Sequence, residues 1–262
     1  MMKTNPIRQL LVANRPTVCT QLHSTWPSVI EVLGHTGLYD YVEFVAENAP
    51  FDLHALDNMC RAAELYGLGS MIKVDQTQQA FVAQRAVGSG FSAVLYSDCR
   101  SVDDVKACVR QTKPDTPDIG GAYGAAGRRN CYMGLSGSAE YVDSLDQVVV
   151  AVMIEKRSLV DDLEEVLSIS DIDMVQWGPT DYSMNIGRPG QTDAPEVVAA
   201  HDRVFRTALE MGVRPRAEIR TASEAKRYLD MGVRHFAVGV DLNVLYDFWR
   251  GEGERIRSAL EE

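Results

Sequence analysis

The stretch VVVAVMIEKRSLVDDLEEVLSISDIDMVQWGPTDYSMNIGRPG, residues 148–190, contains the pattern that decides the fold. Two short apolar runs, 148–154 and 172–177, flank one segment with the apolar spacing of an amphipathic helix. A strand, a helix and a second strand in this order predict a parallel βαβ unit, which brings both strand ends to the same edge of a sheet. Glu155 directly follows the first run, and Asp181 follows the second after Gly-Pro-Thr, so we expect their carboxylates to lie close together.

The same alternation of short apolar runs and helical patterns extends along the chain. Predicted strands begin near residues 17, 41, 70, 91, 148, 172, 214 and 235. Eight strand–helix pairs predict a (β/α)8 TIM barrel, formed by residues 1–262 as a single domain. A doubly wound sheet would require G-x-G-x-x-G after the first strand, and the sequence has none there. The glycine-rich segment 112–137 has no periodicity, which predicts a long functional loop.

Composition and charge exclude several classes of protein. The net charge of -11, without a block of Lys or Arg to offset it, argues against nucleic-acid binding. The five cysteines are odd in number and have no C-x-x-C spacing, so neither a disulfide framework nor a zinc site is indicated. No apolar run approaches the roughly 20 residues that a membrane span needs. We therefore expect a cytoplasmic protein with a small-molecule substrate and neither nucleic acid nor membrane as a partner.

In a TIM barrel, residues at the carboxyl ends of the strands form the active site. This rule selects Glu47, Lys73, Glu155, the turn from Gly178 to Asp181, and Glu218. Carboxylate oxygens are the ligands that hard divalent cations prefer, and free backbone amides in the Gly-Pro-Thr turn would suit an anionic substrate. The sequence therefore predicts a site for a divalent cation and an anion.

Four sequence runs resemble the HpcH/HpaI family of class II pyruvate aldolases. They are AENAP at 46–50, MIE at 153–155, WGPTDYSMNIGRPG at 177–190 and VGVDLNVL at 238–245. The resemblance implies a (β/α)8 barrel whose C-terminal helix is exchanged between subunits of a homo-oligomer, either a dimer or a trimer of dimers. It also implies divalent-metal-dependent, reversible aldol cleavage of 4-hydroxy-2-oxo acids through a pyruvate-type enolate.

The resemblance assigns roles to individual residues. Glu155 and Asp181 would be the ligands of Mg2+ or Mn2+, with Co2+ or Zn2+ as possible alternatives. Glu47 would hold metal-bound water or a neighbouring ligand. Substrate-binding positions would be Trp177, Gly178, Pro179, Thr180 and Arg128. Trp177 could instead pack between strand and helix, and Arg128, like Arg129, could be a solvated loop arginine.

Two positions depart from the family pattern. Family members usually have D-G-E-H-G-P after the second strand, where Asp and His transfer protons, whereas this chain has V-A-E-N-A-P at 45–50. Asn48 cannot transfer a proton near neutral pH, so a hydroxide, the substrate or another residue such as His23 must do so. Lys73 stands where the family has an Arg. It keeps the positive charge but cannot form the two parallel hydrogen bonds that a guanidinium group makes. Glu47, Asn48 and Lys73 are therefore the predicted catalytic positions.

Other readings remain open for the charged residues near these strand ends. Glu47 and Lys73 could form a structural ion pair. A Schiff-base role for Lys73 would need a lowered pKa. Glu43 lies in an otherwise apolar strand, where an inward carboxylate needs a partner that the sequence does not identify.

The function predicted from the sequence is a divalent-metal-dependent carbon–carbon lyase that acts on a 2-keto acid. Two alternatives remain. The chain could catalyse a different enolate reaction, such as decarboxylation or carbon–carbon bond formation, with Asn48 and Lys73 as its signature. It could also be a non-catalytic barrel that serves as a binding or scaffold subunit, although retention of both metal carboxylates argues against this.

Overall fold

The computed structural model describes residues 4–127 and 132–261. Eight parallel strands form a closed barrel in the order in which they occur along the chain, which confirms the predicted (β/α)8 TIM barrel. The strands are β1 (Thr17–Leu22), β2 (Tyr41–Val45), β3 (Gly69–Val74), β4 (Ala93–Tyr96), β5 (Val149–Ile154), β6 (Met174–Trp177), β7 (Arg214–Ile219) and β8 (His235–Val240).

Helices surround the barrel and connect successive strands. In the described part of the chain they are α1 (Pro6–Val12), α2 (Pro27–His35), α3 (Leu53–Leu65), α4 (Gln79–Ser89), α5 (Val102–Thr112), α6 (Ala139–Asp146), α7 (Arg157–Asp161), α8 (Leu163–Leu167), α9 (Pro179–Asn185), α10 (Pro195–Glu210), α11 (Ala225–Met231) and α12 (Asp241–Glu261), with a short 3-10 turn at Ala222–Glu224 before α11. None of the helices in these ranges is long and apolar enough to cross a membrane.

Local sequence signals explain where several helices begin. The side chains of Asp52 and Ser101 accept hydrogen bonds from the amides of Ala55 and Asp104, and so cap α3 and α5. Proline occupies the first turn of α1, α2, α9 and α10, where its missing N–H costs nothing.

Two apolar layers hold the barrel together. The outer layer lies between the strands and the surrounding helices and contains most of the buried aliphatic side chains. The inner layer fills the barrel with side chains such as Tyr41, Met71 and Met153, and Ile7 and Leu11 of α1 pack against it. Gly69, the first residue of β3, has no side chain, and Ile7 of α1 occupies the space that its Cβ would fill. The helix α1 therefore closes the amino-terminal end of the barrel.

Three features differ from the pattern predicted from the sequence. The N-terminal helix α1 was not predicted. The single helix expected between β5 and β6 is divided into α7 and α8, because Asp162 has φ -98° and ψ 24° and leaves the helical conformation. The predicted Gly-Pro-Thr turn is the beginning of a helix, α9.

The glycine-rich segment 112–137 agrees with the prediction where it is described. Residues 113–127 form no helix or strand, and the hydroxyl of Tyr123 donates a hydrogen bond to the carbonyl of Gln84 on α4.

Strand register determines which side chains meet at the open, carboxyl-terminal end of the barrel, which we call the mouth. Ile154 of β5 pairs with Trp177 of β6, and Gln176 of β6 pairs with Arg216 of β7. Continuing these pairings towards the mouth places Glu155 beside Gly178, and position 178 beside Glu218. The three positions therefore form one row across β5, β6 and β7.

The C-terminal helix α12 extends from the mouth without packing onto the barrel along its length. Its first residue, Asp241, accepts hydrogen bonds of 2.9 Å from the backbone amides of His23 and Ser24, which fixes the start of the helix to the end of β1. Beyond this point α12 carries a stripe of exposed apolar side chains, namely Leu242, Leu245, Trp249, Ile256 and Leu260.

Candidate active site

Glu155 is a buried carboxylate at the mouth. Its side chain follows β5 and only 1% of the residue is exposed. Oε1 accepts a hydrogen bond of 2.6 Å from the backbone amide of Asp98, a residue with a φ of 57° that is uncommon outside glycine. Burial raises the pKa of Glu155 to about 7, although the Asp98 amide and the ammonium groups of Lys73 and Lys156 act in the opposite direction. A bound cation would return this carboxyl to its ionised form.

Gly178 is required for the approach of β6 to Glu155. A Cβ at position 178 would lie 2.5 Å from Glu155 Oε2, a separation that no side chain could adopt. The motif Gly-Pro-Thr-Asp therefore begins with glycine because the Glu155 carboxylate occupies the adjoining space. Substitution at this position would push Glu155 out of its place.

Asp181 lies in the first turn of α9, on the rim of the mouth. Its side chain is 49% exposed, and Oδ1 accepts a hydrogen bond of 3.2 Å from Lys156 Nζ. The Asp181 charge contributes to the raised pKa of Glu155, as expected for two carboxylates at one site. The structure thus brings together Glu155 and Asp181, the pair on which the sequence-based prediction depends.

Lys156 is a third charged residue at this site, and it was not predicted from the sequence. Its ammonium group lies 2.5 Å from Asp98 Oδ1 as well as 3.2 Å from Asp181, and the side chain is buried. Burial lowers the pKa of Lys156, but Asp98, Glu155 and Asp181 together outweigh this effect, so the pKa is raised and the group stays charged. Lys156 directly follows Glu155 at the end of β5, and this position could have indicated from the sequence that it belongs to the site.

Glu47 and Lys73 form an ion pair at the mouth, the contact expected if they pair as a structural unit. Glu47 Oε2 contacts Lys73 Nζ, and Oε1 accepts a hydrogen bond of 2.9 Å from the hydroxyl of Ser97, beyond β4. Burial lowers the pKa of Lys73, but Glu47 and the nearby Glu155 raise it above its usual value. A Schiff-base lysine needs the opposite shift, so the structure argues against that role.

Below the mouth, Arg216 provides the partner that the sequence did not identify for Glu43. The guanidinium group of Arg216 is fully buried and contacts Glu43, Gln176 and Cys19, while its Nε donates to the Tyr41 hydroxyl at 2.8 Å. Burial lowers the pKa of Arg216, but Cys19, Glu43 and Tyr41 together outweigh this effect and hold the pKa well above its ordinary value. An arginine at an inward position of β7, in the run RPRAEI, was the signal for this network.

The structure engages or leaves without a donor three of the predicted substrate-binding positions, Trp177, Gly178 and Pro179. Trp177 does not line the mouth: it alternates with the inward Gln176, faces the helices, and packs on Tyr182 with ring centroids 4.6 Å apart. The Gly178 amide is not free, because it donates to the Ile154 carbonyl at 3.2 Å, and Pro179 has no amide hydrogen. Of the predicted turn, only the amide of Thr180 remains as a candidate donor.

The remaining candidate residues lie at the edges of the site. Asn48 is exposed in the turn after β2, where its backbone amide bonds to the carbonyl of Val45. His23 lies half-buried at the end of β1, and its backbone amide binds Asp241. The predictions for Arg128 and Arg129 fall on residues outside the described parts of the chain.

The donor set at Glu155 and Asp181 fits a hard divalent cation. Each carboxylate uses one oxygen within the described chain, Glu155 for the Asp98 amide and Asp181 for Lys156, and so retains a second oxygen. Mg2+ is commonly bound by one or two carboxylates, with water and substrate oxygens completing the shell. Over the described ranges no cluster of three or more His, Cys, Asp and Glu could hold a metal without such outside ligands.

A closed (β/α)8 barrel with a row of charged groups at the carboxyl ends of its strands defines a TIM-barrel enzyme. Comparison with known families identifies which one. The chain belongs to the HpcH/HpaI aldolase/citrate lyase family, whose model matches residues 21–247.

Two curated relatives indicate the type of reaction. The chain is 27% identical over 241 residues to a 4-hydroxy-2-oxo-heptane-1,7-dioate aldolase of Escherichia coli, with 92% of this chain and 90% of that protein covered. It is 26% identical over 243 residues to a hydroxypyruvate/pyruvate aldolase of Cupriavidus necator, with 92% and 88% covered. The family and these relatives indicate an aldolase or lyase activity on 2-oxo acids.

Solved structures show the same fold. An HpcH/HpaI aldolase/citrate lyase family protein from Burkholderia cenocepacia J2315 matches with a TM-score of 0.86 and 26% identity over 97% of this chain and 100% of that chain. A more distant match is the citrate lyase beta subunit of M. tuberculosis complexed with oxaloacetate and magnesium, with a TM-score of 0.60 and 11% identity over 87% and 93%.

Proposed function

We propose that this protein is a divalent-cation-dependent carbon–carbon lyase that cleaves 4-hydroxy-2-oxo acids to a 2-oxo acid of the pyruvate type and an aldehyde. The observation that carries the proposal is the placement of the Glu155 carboxylate against Gly178, with Asp181 beside it on α9. The names of the aldolase relatives support the same substrate class.

The cation would be held by Glu155 and Asp181, with Mg2+ or Mn2+ as the preferred ions and Co2+ or Zn2+ as possible ones. When bound, it supplies Lewis-acid stabilisation of the negative charge that develops on the keto oxygen during cleavage. The burial of Glu155 supports this assignment, because a buried carboxylate without a contacting cation of its own gains most from one.

Lys73 would orient the substrate and attract its negative charge. Its ammonium group faces the mouth between Glu47 and Glu155, and the raised pKa keeps it cationic over the range in which enzymes usually operate. Glu47 and the Ser97 hydroxyl hold it in place. The Thr180 amide and Arg128 remain proposed contacts for the substrate carboxylate.

A coupled assay tests this function directly. Metal-free protein and protein loaded with Mg2+ or Mn2+ would be incubated with a series of 4-hydroxy-2-oxo acids, and pyruvate release would be followed with lactate dehydrogenase and NADH. We expect release that requires the cation. No release from any member of the series, by protein that binds the cation, would contradict the proposed cleavage.

Decarboxylation is a second candidate reaction. It is favoured by Asn48, which stands where the family has a histidine that transfers protons. The loss of carbon dioxide from oxaloacetate forms the same enolate without a base to take a hydroxyl proton, and Asn48 supplies none. The same assay with oxaloacetate separates the two reactions. Decarboxylation in the absence of aldol cleavage would replace the leading proposal by this one.

Lys156→Met is expected to raise the affinity for Mg2+ or Mn2+ about tenfold, since it removes a buried positive charge that competes for Asp181 Oδ1. Isothermal titration calorimetry at constant pH and ionic strength measures this change. The matched control is Lys106→Met, which removes an exposed lysine that pairs with Asp103 and Glu165 on the outer surface. Equal affinities for Lys156→Met and the wild type would count against a cation at Asp181.

The exposed apolar stripe of α12 supports the proposed homo-oligomer with an exchanged C-terminal helix. Such a stripe is unfavourable in water unless another surface covers it. We expect light scattering after size exclusion to give the mass of a multiple of the chain, and the variant Leu245→Glu/Trp249→Glu to give the mass of a single chain. The control is Arg257→Glu on the same helix. A monomeric wild type would contradict the oligomer.

A further inference from the structure

Aldol cleavage needs a group that accepts a proton. As the C3–C4 bond breaks, its electron pair enters the 2-oxo acid as an enolate, the 4-hydroxyl loses its proton, and the aldehyde C=O forms. The enolate then takes a proton at C3 to become the 2-oxo acid, so the proton lost by the hydroxyl balances the one gained by carbon. The base that carries this proton must face the substrate and must not be neutralised by a cation.

Most charged groups of the mouth are already engaged in the described chain. Glu47 contacts Lys73, and Asp98 contacts Lys156. Glu155 and Asp181 are the carboxylates assigned to the cation under the proposed function, on which the present inference rests. None of these groups is well suited to accept a proton from the substrate.

Glu218 differs from them in its hydrogen-bond partners. Its Oε2 accepts hydrogen bonds from two neutral side-chain amides, Gln176 Nε2 at 3.0 Å and Gln21 Nε2 at 3.3 Å. No lysine or arginine of the described chain forms an ion pair with it. Two amides from β1 and β6 thus orient the carboxylate and leave it able to gain and lose a proton.

The position of Glu218 on β7 directs it to the substrate space. The side chain projects inward, on the same side of β7 as Arg216, because both bond to the inward Gln176. In the row described above, Glu218 lies level with Gly178 and Glu155. Glu218 therefore lies in the same layer of the mouth as the proposed cation site. Gly178 stands between Glu218 on β7 and Glu155 at the end of β5.

The surroundings of Glu218 favour proton exchange. The residue is exposed to solvent at the mouth, while the amides of Gln176 and Gln21 contact its Oε2. Desolvation by the surrounding barrel residues and the nearby Glu43 raise the pKa of Glu218, and Arg216 and Lys73 act against the rise. Tyr228 on α11 is also close enough to be affected by its charge. A raised pKa brings a carboxyl nearer to neutral pH, where a general base is most effective.

We propose that Glu218 is the general base of the reaction, which takes the proton of the 4-hydroxyl group as the C3–C4 bond breaks and delivers it to C3 of the enolate. In the direction of addition, the same carboxyl would take the C3 proton and donate it to the new hydroxyl. Gln21 and Gln176 are the positioning residues that hold Oε2.

The test compares the wild type with Glu218→Gln and Glu218→Asp in the cation-loaded protein. For Glu218→Gln we expect a loss of kcat of about 10²- to 10⁴-fold, a KM within about threefold of the wild type, and an unchanged affinity for the cation. The wild-type rate should fall at acid pH as Glu218 is protonated, and this limb should be absent from Glu218→Gln. Glu218→Asp keeps the carboxylate and should recover part of the rate.

Glu210→Gln is the matched control, because Glu210 is exposed at the end of α10 that leads into β7, away from the mouth. Thermal unfolding of each variant verifies that the barrel is folded. A kcat of Glu218→Gln within about threefold of the wild type, or an unchanged acid limb, would overturn the role of Glu218 alone. If the cation-loaded wild type neither released pyruvate nor exchanged the C3 protons of pyruvate, the proposed function would be overturned, and this inference with it.

Discussion

Replacement of Glu155 with glutamine is expected to lower the kcat/KM of cleavage about a thousandfold and to weaken Mg2+ or Mn2+ binding by a comparable factor. A cation acting as a Lewis acid stabilises the transition state by several kcal/mol, and about 4 kcal/mol corresponds to a thousandfold. Glutamine has nearly the same shape as Glu155 and leaves one carbonyl oxygen to accept the Asp98 amide. The substitution therefore removes only the negative charge that attracts the cation.

Calorimetric titration with Mg2+ and steady-state assays of pyruvate release measure the two effects on the same protein. Glu210→Gln, an exposed change away from the mouth, serves as the control and should bind and react as the wild type does. If Glu155→Gln retained both cation affinity and activity within about threefold, the assignment of Glu155 as a ligand would be wrong.

The largest expected effect on stability is at Arg216. Arg216→Met removes the cation that pairs with the fully buried Glu43 and leaves that carboxylate without a charged partner. The loss of one member of a buried pair typically costs about 3–5 kcal/mol of unfolding free energy, since the remaining charge stays desolvated. We therefore expect Arg216→Met to unfold at markedly lower urea concentration than the wild type.

The double variant Arg216→Met/Glu43→Leu separates the loss of the pair from the loss of packing. It removes both charges, so most of the lost stability should return, and the two substitutions should be strongly non-additive in urea unfolding. Arg206→Met, which changes an exposed arginine on α10, controls for the removal of a surface charge. A single variant as stable as the wild type would show that the pair does not stabilise the barrel.

The fold could be predicted because its signals are local. Eight short apolar runs alternating with helical patterns are enough to specify a (β/α)8 barrel, and the parallel βαβ unit places Glu155 near Asp181 without any further information. The helix α1 was missed because seven residues give too little periodicity to recognise. The break at Asp162 was missed because it depends on one backbone conformation.

The details of the site could be predicted only in part. The positions of the two carboxylates and of Lys73 follow from the ends of the predicted strands. The pairing of Lys156 with Asp98 and Asp181 does not, because it joins residues that follow three different strands. The partner of Glu43 lies 173 residues away, on β7. Trp177 was assigned to the pocket because it precedes the Gly178 motif, whereas the alternation along β6 turns it towards the helices.

Glu155 and Asp181 are expected to form a cation-dependent site for a pyruvate-type enolate. Deuteration of the pyruvate methyl group in D2O, followed by proton NMR, tests it without knowledge of the aldehyde. We predict that protein loaded with Mg2+ or Mn2+ exchanges the methyl protons and that protein treated with EDTA does not. Exchange that proceeds equally without the cation, or no exchange by protein that binds the cation, would contradict the claim.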